Sequence, residues 1–149
     1  VFMQFSYGND VFHGSRLFLE SLQGGDNQVE AVTRRWKKPG DITDIPRATL
    51  DPVKATDNKR VSSRFIEDGS YLRLKNVTIG YTFNRKLLER FSMTNLRVYF
   101  SGQNLLTFTK FTGLDPEVNY RGNDNEVIGT DFFTYPQSRA YTFGINIKF

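Results

Sequence analysis

His13 is the only histidine in a chain of 149 residues that contains no cysteine, so a transition-metal centre would need carboxylates at unusual spacing to complete it. Asp115, Glu117, Asp124, Glu126 and Asp131 crowd one stretch, and oxygen ligands suit hard cations. A calcium loop, however, holds its ligands in a fixed order around a glycine turn. That order is missing, the stretch reads as a solvated acidic loop, and no metal or cofactor is expected. Glu67 and Asp68 are adjacent, and neighbours in an extended segment point to opposite faces, which disfavours a shared acid–base site. No nucleophile elbow, phosphate-binding loop or two-histidine zinc motif occurs, so an enzyme is the least supported class. Without cysteine there is also no disulfide frame and no thiolate nucleophile.

Arg34, Arg35, Lys37 and Lys38 surround Trp36, a mixture of cations and a stacking ring that single-stranded nucleic-acid sites use. The same chemistry suits contact with a protein or a glycan. Twenty Lys and Arg against 16 Asp and Glu give a net charge of +4 with both signs interspersed, too mild for a polyanion binder. No nucleic-acid partner is expected. Asn76-Val77-Thr78 spells a glycosylation acceptor, but it lies inside a strand pattern and reads as coincidence.

The elements that must carry these side chains are mostly strands. No window approaches the roughly 18 apolar residues of a spanning helix, and mean hydropathy is −0.47. Yet 15% of the residues are aromatic, with 14 Phe and 7 Tyr, and rings in so polar a chain need a core or a bilayer to face. A period of two marks strands at about 1–8, 70–84, 95–109 and 138–149. In the second, Val77, Ile79, Tyr81 and Phe83 alternate with Asn76, Thr78, Gly80 and Thr82; in the third, Leu96, Val98 and Phe100 alternate with Arg97 and Ser101. Leu72 and Leu74 are out of phase with Val77, which places either a bulge near Lys75 and Asn76 or a departure from the apolar environment there. In the fourth, Tyr141, Phe143, Ile145, Ile147 and Phe149 form an unbroken apolar row. Within the long stretch 9–63, helical spacing appears over Phe12–Leu22 and Gln28–Trp36, among turns at Gly24, Gly25, Asp26, Asn27, Pro39, Pro46 and Pro52. Residues 110–137 read as a loop, and 84–94 as a connection with one helical turn capped by Asn84.

These strands suit either an amphipathic soluble sheet or the wall of a membrane barrel, where only every second residue need be apolar. A row that closes on the aromatic Phe149 favours the barrel. With Phe149 on the periplasmic side, 84–94 falls inside and the long stretches 9–63 and 110–137 fall outside, which is the asymmetry of outer-membrane barrels. Four strands cannot close a barrel, since the smallest have eight. The opening Val1-Phe2-Met3-Gln4-Phe5 lacks signal-peptide character, and the chain is expected to begin inside a longer protein.

The block Asp68-Gly69-Ser70-Tyr71-Leu72-Arg73-Leu74-Lys75-Asn76-Val77-Thr78-Ile79-Gly80-Tyr81 resembles the C-terminal part of SusC/RagA-type TonB-dependent outer-membrane transporters of Bacteroidota. Leu96-Arg97-Val98-Tyr99-Phe100-Ser101-Gly102-Gln103-Asn104-Leu105-Leu106-Thr107-Phe108-Thr109 is similar to the next strand of that family. Gly113-Leu114-Asp115-Pro116-Glu117, Tyr135-Pro136-Gln137-Ser138-Arg139 and, earlier, Arg35-Trp36, Pro39-Gly40-Asp41 and Ile45-Pro46-Arg47-Ala48 resemble further blocks in the same order. The resemblance implies an all-β fold, the C-terminal strands of a large antiparallel transmembrane β-barrel, 22-stranded and plugged in the family, with long extracellular loops. The plug and the TonB-contacting box would lie outside these residues.

What it implies for function is part of an outer-membrane importer of glycans or peptides. The partners would be a SusD-like surface lipoprotein, the rest of its own barrel and plug, TonB, and outer-membrane lipid, with transporter–lipoprotein pairs forming a dimer. A SusC-like barrel that scaffolds an envelope complex without transport, and a soluble basic β-rich binding module, are the alternatives. Val77, Ile79, Tyr81, Phe83, Leu96, Val98 and Phe100 are expected to face lipid, on the strength of their alternation. Tyr141, Phe143, Ile145, Ile147 and Phe149 are expected to form the row that barrel-assembly machinery reads. Trp36, Tyr120, Phe132, Phe133 and Tyr135 are the ring residues expected to meet a substrate or the lipoprotein in the outer loops.

Overall fold

A computed structural model describes residues 1–22, 27–51, 58–122 and 128–149. Gly24, Gly25, Asp26, Pro52, Asp124 and Glu126, which the sequence assigns to turns and to the acidic loop, lie outside the described residues. The strands are β1 (Phe2–Ser6), β2 (Asp10–His13), β3 (Ile66–Asp68), β4 (Tyr71–Thr82), β5 (Asn95–Thr109), β6 (Thr130–Asp131) and β7 (Ala140–Lys148). Two short helices, α1 (Arg16–Leu19) and α2 (Arg85–Leu88), accompany them. The chain divides into two compact units, one of Val1–Tyr7, Tyr71–Thr109 and Gln137–Phe149, the other of Gly8–Ser70 and Lys110–Pro136.

The first unit is a four-stranded antiparallel sheet in the order β1-β4-β5-β7. Directly paired residues share a face, so the register sorts every side chain. Ile79 pairs with Phe100 and Phe100 with Phe143; Tyr81 pairs with Val98 and Val98 with Ile145; Leu96 pairs with Ile147. This face is apolar across three strands. The opposite face carries Gln4–Arg73–Thr107, Thr78–Ser101–Thr142 and Thr82–Arg97–Asn146. Polar contacts knit it: Thr78 Oγ1 and Ser101 Oγ lie 2.9 Å apart, and Gln4 Nε2 donates to the Tyr71 hydroxyl at 3.0 Å. Arg73 Nε donates to Thr107 Oγ1 at 3.1 Å.

The apolar face is left uncovered, while on the polar face Thr78, Thr82, Arg97 and Asn146 are exposed and Arg73 is buried. Phe143 and Ile79 are each 69% exposed, whereas Arg73 on the polar face is only 2% exposed. Water penalises such an apolar surface, at roughly 25 cal/mol for each Å².

The phase conflict at Leu72 and Leu74 is resolved by a bulge. Leu74 pairs with Met3 and Leu106, while Asn76 pairs with Phe2 and Gln103, and both ladders shift register between them. Lys75 is left without a ladder partner, and Leu72 and Leu74 join the face of Val77, opposite Phe5, Met3, Phe108 and Leu106. On β5 the irregularity is met by Asn104, whose φ of +51° lies in the left-handed region that Asn tolerates, and whose Nδ2 donates to the Ser138 carbonyl at 3.0 Å.

The second unit departs from the sequence expectation in two places. The helical spacing over Phe12–Leu22 yields helix only at Arg16–Leu19, because Asp10–His13 is drawn into a ladder between β3, antiparallel, and β6, parallel. Pairing on both sides outweighs a weak local helix preference and buries Val11 fully. The pattern over Gln28–Trp36 becomes a short 3-10 turn at Glu30–Arg34. Residues 110–137 are not wholly a loop, since β6 lies within them. Val11, Phe111 and Val118 form the buried apolar cluster, and the Phe12 and Phe65 rings meet edge-on at 6.5 Å.

One close approach in the sheet can be checked. Gly80, Tyr99 and Gly144 lie side by side on the polar face, and a Cβ at Gly144 would overlap the Tyr99 ring. Gly144→Val is expected to destabilise the full-length protein by about 1–3 kcal/mol, the usual cost of overpacking. Adding Tyr99→Ala should recover part of it, as measured by thermal unfolding in detergent.

Candidate functional site

The polar side chains of the second unit converge where β2 ends. His13 is the last residue of β2, Glu67 the centre of β3, and Asp131 the last residue of β6, so the two ladders carry all three to one place. His13 Nδ1 lies 3.0 Å from Glu67 Oε1, and His13 Nε2 lies 3.2 Å from Asp131 Oδ2. The turn at Gly14 and Ser15 then starts α1, which brings in Arg16. Its Nη1 donates to Glu67 Oε1 at 2.9 Å, and its Nε to Glu20 Oε1 at 2.7 Å. Arg64 also donates to Glu20. Thr112 gives Glu67 both its backbone N–H and its hydroxyl, at 2.8 Å each. Ser15 Oγ donates to Asp131 Oδ2 at 3.1 Å and accepts the Phe133 N–H at 2.7 Å.

The electrostatics follow from these donors. Burial alone pushes the Glu67 carboxyl up, but the Thr112 N–H, His13, the Thr112 hydroxyl and Arg16 outweigh it and hold it below the ordinary carboxylate range. Burial likewise pushes Glu20 up, and hydrogen bonds from Arg16 and Arg64 reverse the shift. The two ring nitrogens of His13 point to separate carboxylates and not to a common point, and among the described residues no group of three His, Asp or Glu is poised for a cation. Glu67 and Asp68 part as neighbours in a strand do: Asp68 faces solvent and accepts the Ser70 N–H at 2.9 Å.

A cavity of about 720 Å³ lies beside the network. Besides the network residues its walls include Arg34, Asp44, Lys110, Leu114 and Phe133, charges of both signs alternating with apolar patches. Its chemistry is that of a binding surface: Glu20, Glu67 and Asp131 are committed to donors, while Arg34, Asp44 and Lys110 offer charge of both signs along the walls.

Of the rings expected in the loops, Tyr120, Phe132 and Phe133 come together. Phe132 lies 5.6 Å from Phe133 and 5.9 Å from Tyr120. The sequence reading omitted Phe18, which meets Phe132 edge-on at 5.5 Å and Phe133 at 6.0 Å. Lys59 Nζ stands 5.0 Å from the Phe18 ring. Trp36 is outside this cluster, half-buried, with its backbone N–H on the Ile45 carbonyl at 3.0 Å. Tyr135 is also outside it and 94% exposed. The basic run beside Trp36 folds around Asp41, whose carboxylate accepts the Lys37 and Lys38 N–H groups at 2.9 and 3.0 Å.

In the sheet, Val77, Ile79, Tyr81, Leu96, Val98, Phe100, Tyr141, Phe143, Ile145 and Ile147 share the apolar face. Phe83 follows β4, its ring against Tyr81 at 5.0 Å. Phe149 follows β7 and is 80% exposed.

No family model matches the chain. It is 39% identical over 153 residues to the TonB-dependent receptor P3 of Formosa agariphila, with all of this chain and 14% of that protein covered. The TonB-dependent receptor P26 of the same organism is 31% identical, over 99% of this chain and 15% of its own length. The TonB-dependent receptor SusC of Bacteroides thetaiotaomicron is 33% identical over 60% of this chain. Among solved structures, the RagAB peptide importer in its open-open state matches with a TM-score of 0.77 and 27% identity, over 99% of this chain and 15% of that one. Its closed-closed state gives 0.76. The chain thus spans no more than 15% of these relatives, and the fold it shares with them is part of an all-β antiparallel barrel.

The network makes a pH-dependent prediction. A carboxylate whose folded pKa is depressed stabilises the fold fully above its unfolded value, near 4.5 here, and that stability is lost as pH falls through the folded value. Hydrogen exchange at residues 10–20, 63–68 and 110–113 of the full-length protein should be slow at pH 6 and show progressive opening below about pH 4.5, after correction for intrinsic exchange. Glu67→Gln weakens charged hydrogen bonds worth about 1.5–3 kcal/mol each, so opening at pH 6 should rise at least roughly tenfold. An opening profile independent of pH would show that other contacts hold these segments.

Proposed function

Since the chain belongs to the SusC/RagA-type TonB-dependent receptors, we propose that it supplies part of the barrel wall and outer loops of an outer-membrane importer. The importer takes up an oligomeric nutrient, acts with a SusD-like surface lipoprotein, and is powered through TonB by segments outside these residues. The observation that carries this reading is the sheet's uncovered apolar face, on which the register sets the exposed Ile79, Phe100, Phe143 and Ile145 side by side, opposite a polar face. Such a sheet suits a wall with lipid on one side and a polar lumen on the other. A soluble module would leave Ile79, Phe100, Phe143 and Ile145 in water, which counts against that alternative.

In this reading Val77, Ile79, Tyr81, Phe83, Leu96, Val98 and Phe100 face lipid. Residues 84–94 are periplasmic, 9–63 and 110–137 extracellular. The cavity beside His13 and Glu67 forms part of the surface that cargo meets. Peptide cargo is supported by the likeness to the RagAB peptide importer and by a cavity whose free walls carry both Arg34 and Lys110 and Asp44, which suit a zwitterionic chain. Glycan cargo is favoured by a different observation, the partly exposed cluster of Phe18, Tyr120, Phe132 and Phe133, whose ring faces suit sugar stacking.

Two measurements test the proposal. A strain lacking the gene should lose uptake of one labelled oligomer class, peptide or glycan, and regain it with the full-length gene. Cavity charge reversals at Lys110 and Asp44 should reduce peptide uptake, whereas Phe132→Ala with Phe133→Ala should reduce glycan uptake. Unchanged uptake of both classes in the deletion strain would remove the importer reading. Separately, Ile79→Arg should destabilise the assembled barrel by about 2–4 kcal/mol if this residue lies near the bilayer midplane, read from urea unfolding in lipid vesicles. A cost near zero would place it away from lipid.

A further inference from the structure

The connection between β4 and β5 is more than a link. Antiparallel neighbours can be joined by two residues, yet residues 84–94 build a capped helical turn and a 3-10 turn. Asn84 Oδ1 accepts the Lys86 N–H at 3.1 Å to start α2. Ser92, at φ +55°, ends the following 3-10 turn over Glu89–Phe91. Leu88 is buried, at 4% exposure, and anchors the turn within the sheet unit. Thr94 ties its far end to β7, its N–H and hydroxyl both donating to the Lys148 carbonyl, at 2.7 and 3.1 Å.

What this anchored turn displays is amphipathic. Leu87, in α2, and Phe91, at the end of the 3-10 turn, are 61% and 67% exposed. Arg85, Lys86 and Arg90 stand among them with one acid, Glu89. Glu89 meets Arg85 at 4.0 Å, and Lys86 and Arg90 have no ion pair among the described residues. The turn also continues the apolar face of the sheet, since Phe83, packed on Tyr81, immediately precedes Asn84.

Exposed apolar side chains interleaved with unpaired cations are the signature of a segment lying in a lipid headgroup layer. We infer that residues 84–94 form a membrane-surface anchor, with Leu87 and Phe91 inserted at the headgroup boundary and Lys86 and Arg90 on the phosphates of anionic phospholipid. The inference rests on the barrel reading above, and the strand ends that the turn joins are opposite those from which residues 8–70 and 110–136 leave the sheet. It therefore assigns the anchor to the periplasmic leaflet.

The test uses the full-length receptor, in a background without other cysteines, in vesicles of phosphatidylethanolamine with or without phosphatidylglycerol. A bimane probe is attached through Phe91→Cys, or through Ile79→Cys as the control for the barrel wall. Quenching of the position-91 probe by lipids brominated near the headgroup should exceed its quenching by aqueous iodide, and phosphatidylglycerol should strengthen it. Lys86→Gln and Arg90→Gln should each weaken phosphatidylglycerol enrichment around the receptor roughly fivefold, following the usual contribution of one cation at an anionic surface. Quenching at position 79 but not at 91 overturns the anchor and leaves the barrel intact. Lipid quenching at 91 that ignores phosphatidylglycerol overturns the anionic specificity. No lipid quenching at 79 removes the barrel reading, and the anchor with it.

Discussion

Backbone pairing along β1-β4-β5-β7 is the constraint on which the rest of the structure depends. A bilayer interior has no water to satisfy an N–H or C=O group, so a strand that crosses it must be paired on both sides. β4 and β5 meet that condition within the sheet, while β1 and β7 each retain one open edge. The ladder is therefore a segment of something larger, in keeping with relatives of which it covers about one seventh. Once the register is set, the faces follow without further choice: a slip by one residue would move Ile79, Phe100 and Phe143 together to the polar side. The bulge at Lys75 does the same work locally, by returning Leu72 and Leu74 to the apolar face.

The second unit is held by a different physics. Its buried apolar cluster is small, and cohesion comes from directional hydrogen bonds between segments distant in sequence. His13 and Glu67 are 54 residues apart, Ser15 and Asp131 116. Desolvating charges is costly, and the cost is offset because Glu67 and Glu20 each collect several donors. A network of this kind specifies positions more sharply than it adds net stability, which suits loops that must present a cavity of defined shape.

How much of this was legible depends on the range of the signal. The row from Tyr141 to Ile147 lies within β7, with Phe149 just after it, because a period of two is written in consecutive residues. The phase conflict at Leu74 was equally visible, but choosing a bulge needed the partners Met3 and Leu106. β2 was misread as helix because Leu17, Phe18 and Leu22 have helical spacing and carried Phe12 with them; the ladder that captures Asp10–His13 comes from residues more than 50 positions away. β6, two residues long, has no period to detect. At the site, His13 was weighed and set aside as a metal ligand and Glu67 as an acid–base partner of Asp68, while the partnership of His13 with Glu67 left no local trace. Residue type alone selected Tyr120, Phe132 and Phe133 along with Trp36 and Tyr135, and type does not determine position.

The averages of this chain conceal two solvent regimes. A mean hydropathy of −0.47 describes neither the sheet, where one face is an uncovered apolar row, nor the network of the second unit, where Glu20, Glu67 and Asp131 are largely shielded and paired. The boundary between regimes is sharp where it can be followed residue by residue. Phe83 is the last member of the two-residue period, Asn84 caps the first helical turn, and from Arg85 onward the chain is helical, α over Arg85–Leu88 and 3-10 over Glu89–Phe91. One capping side chain thus ends the strand pattern, and it does so by satisfying the Lys86 N–H that a continuing ladder would otherwise have to pair.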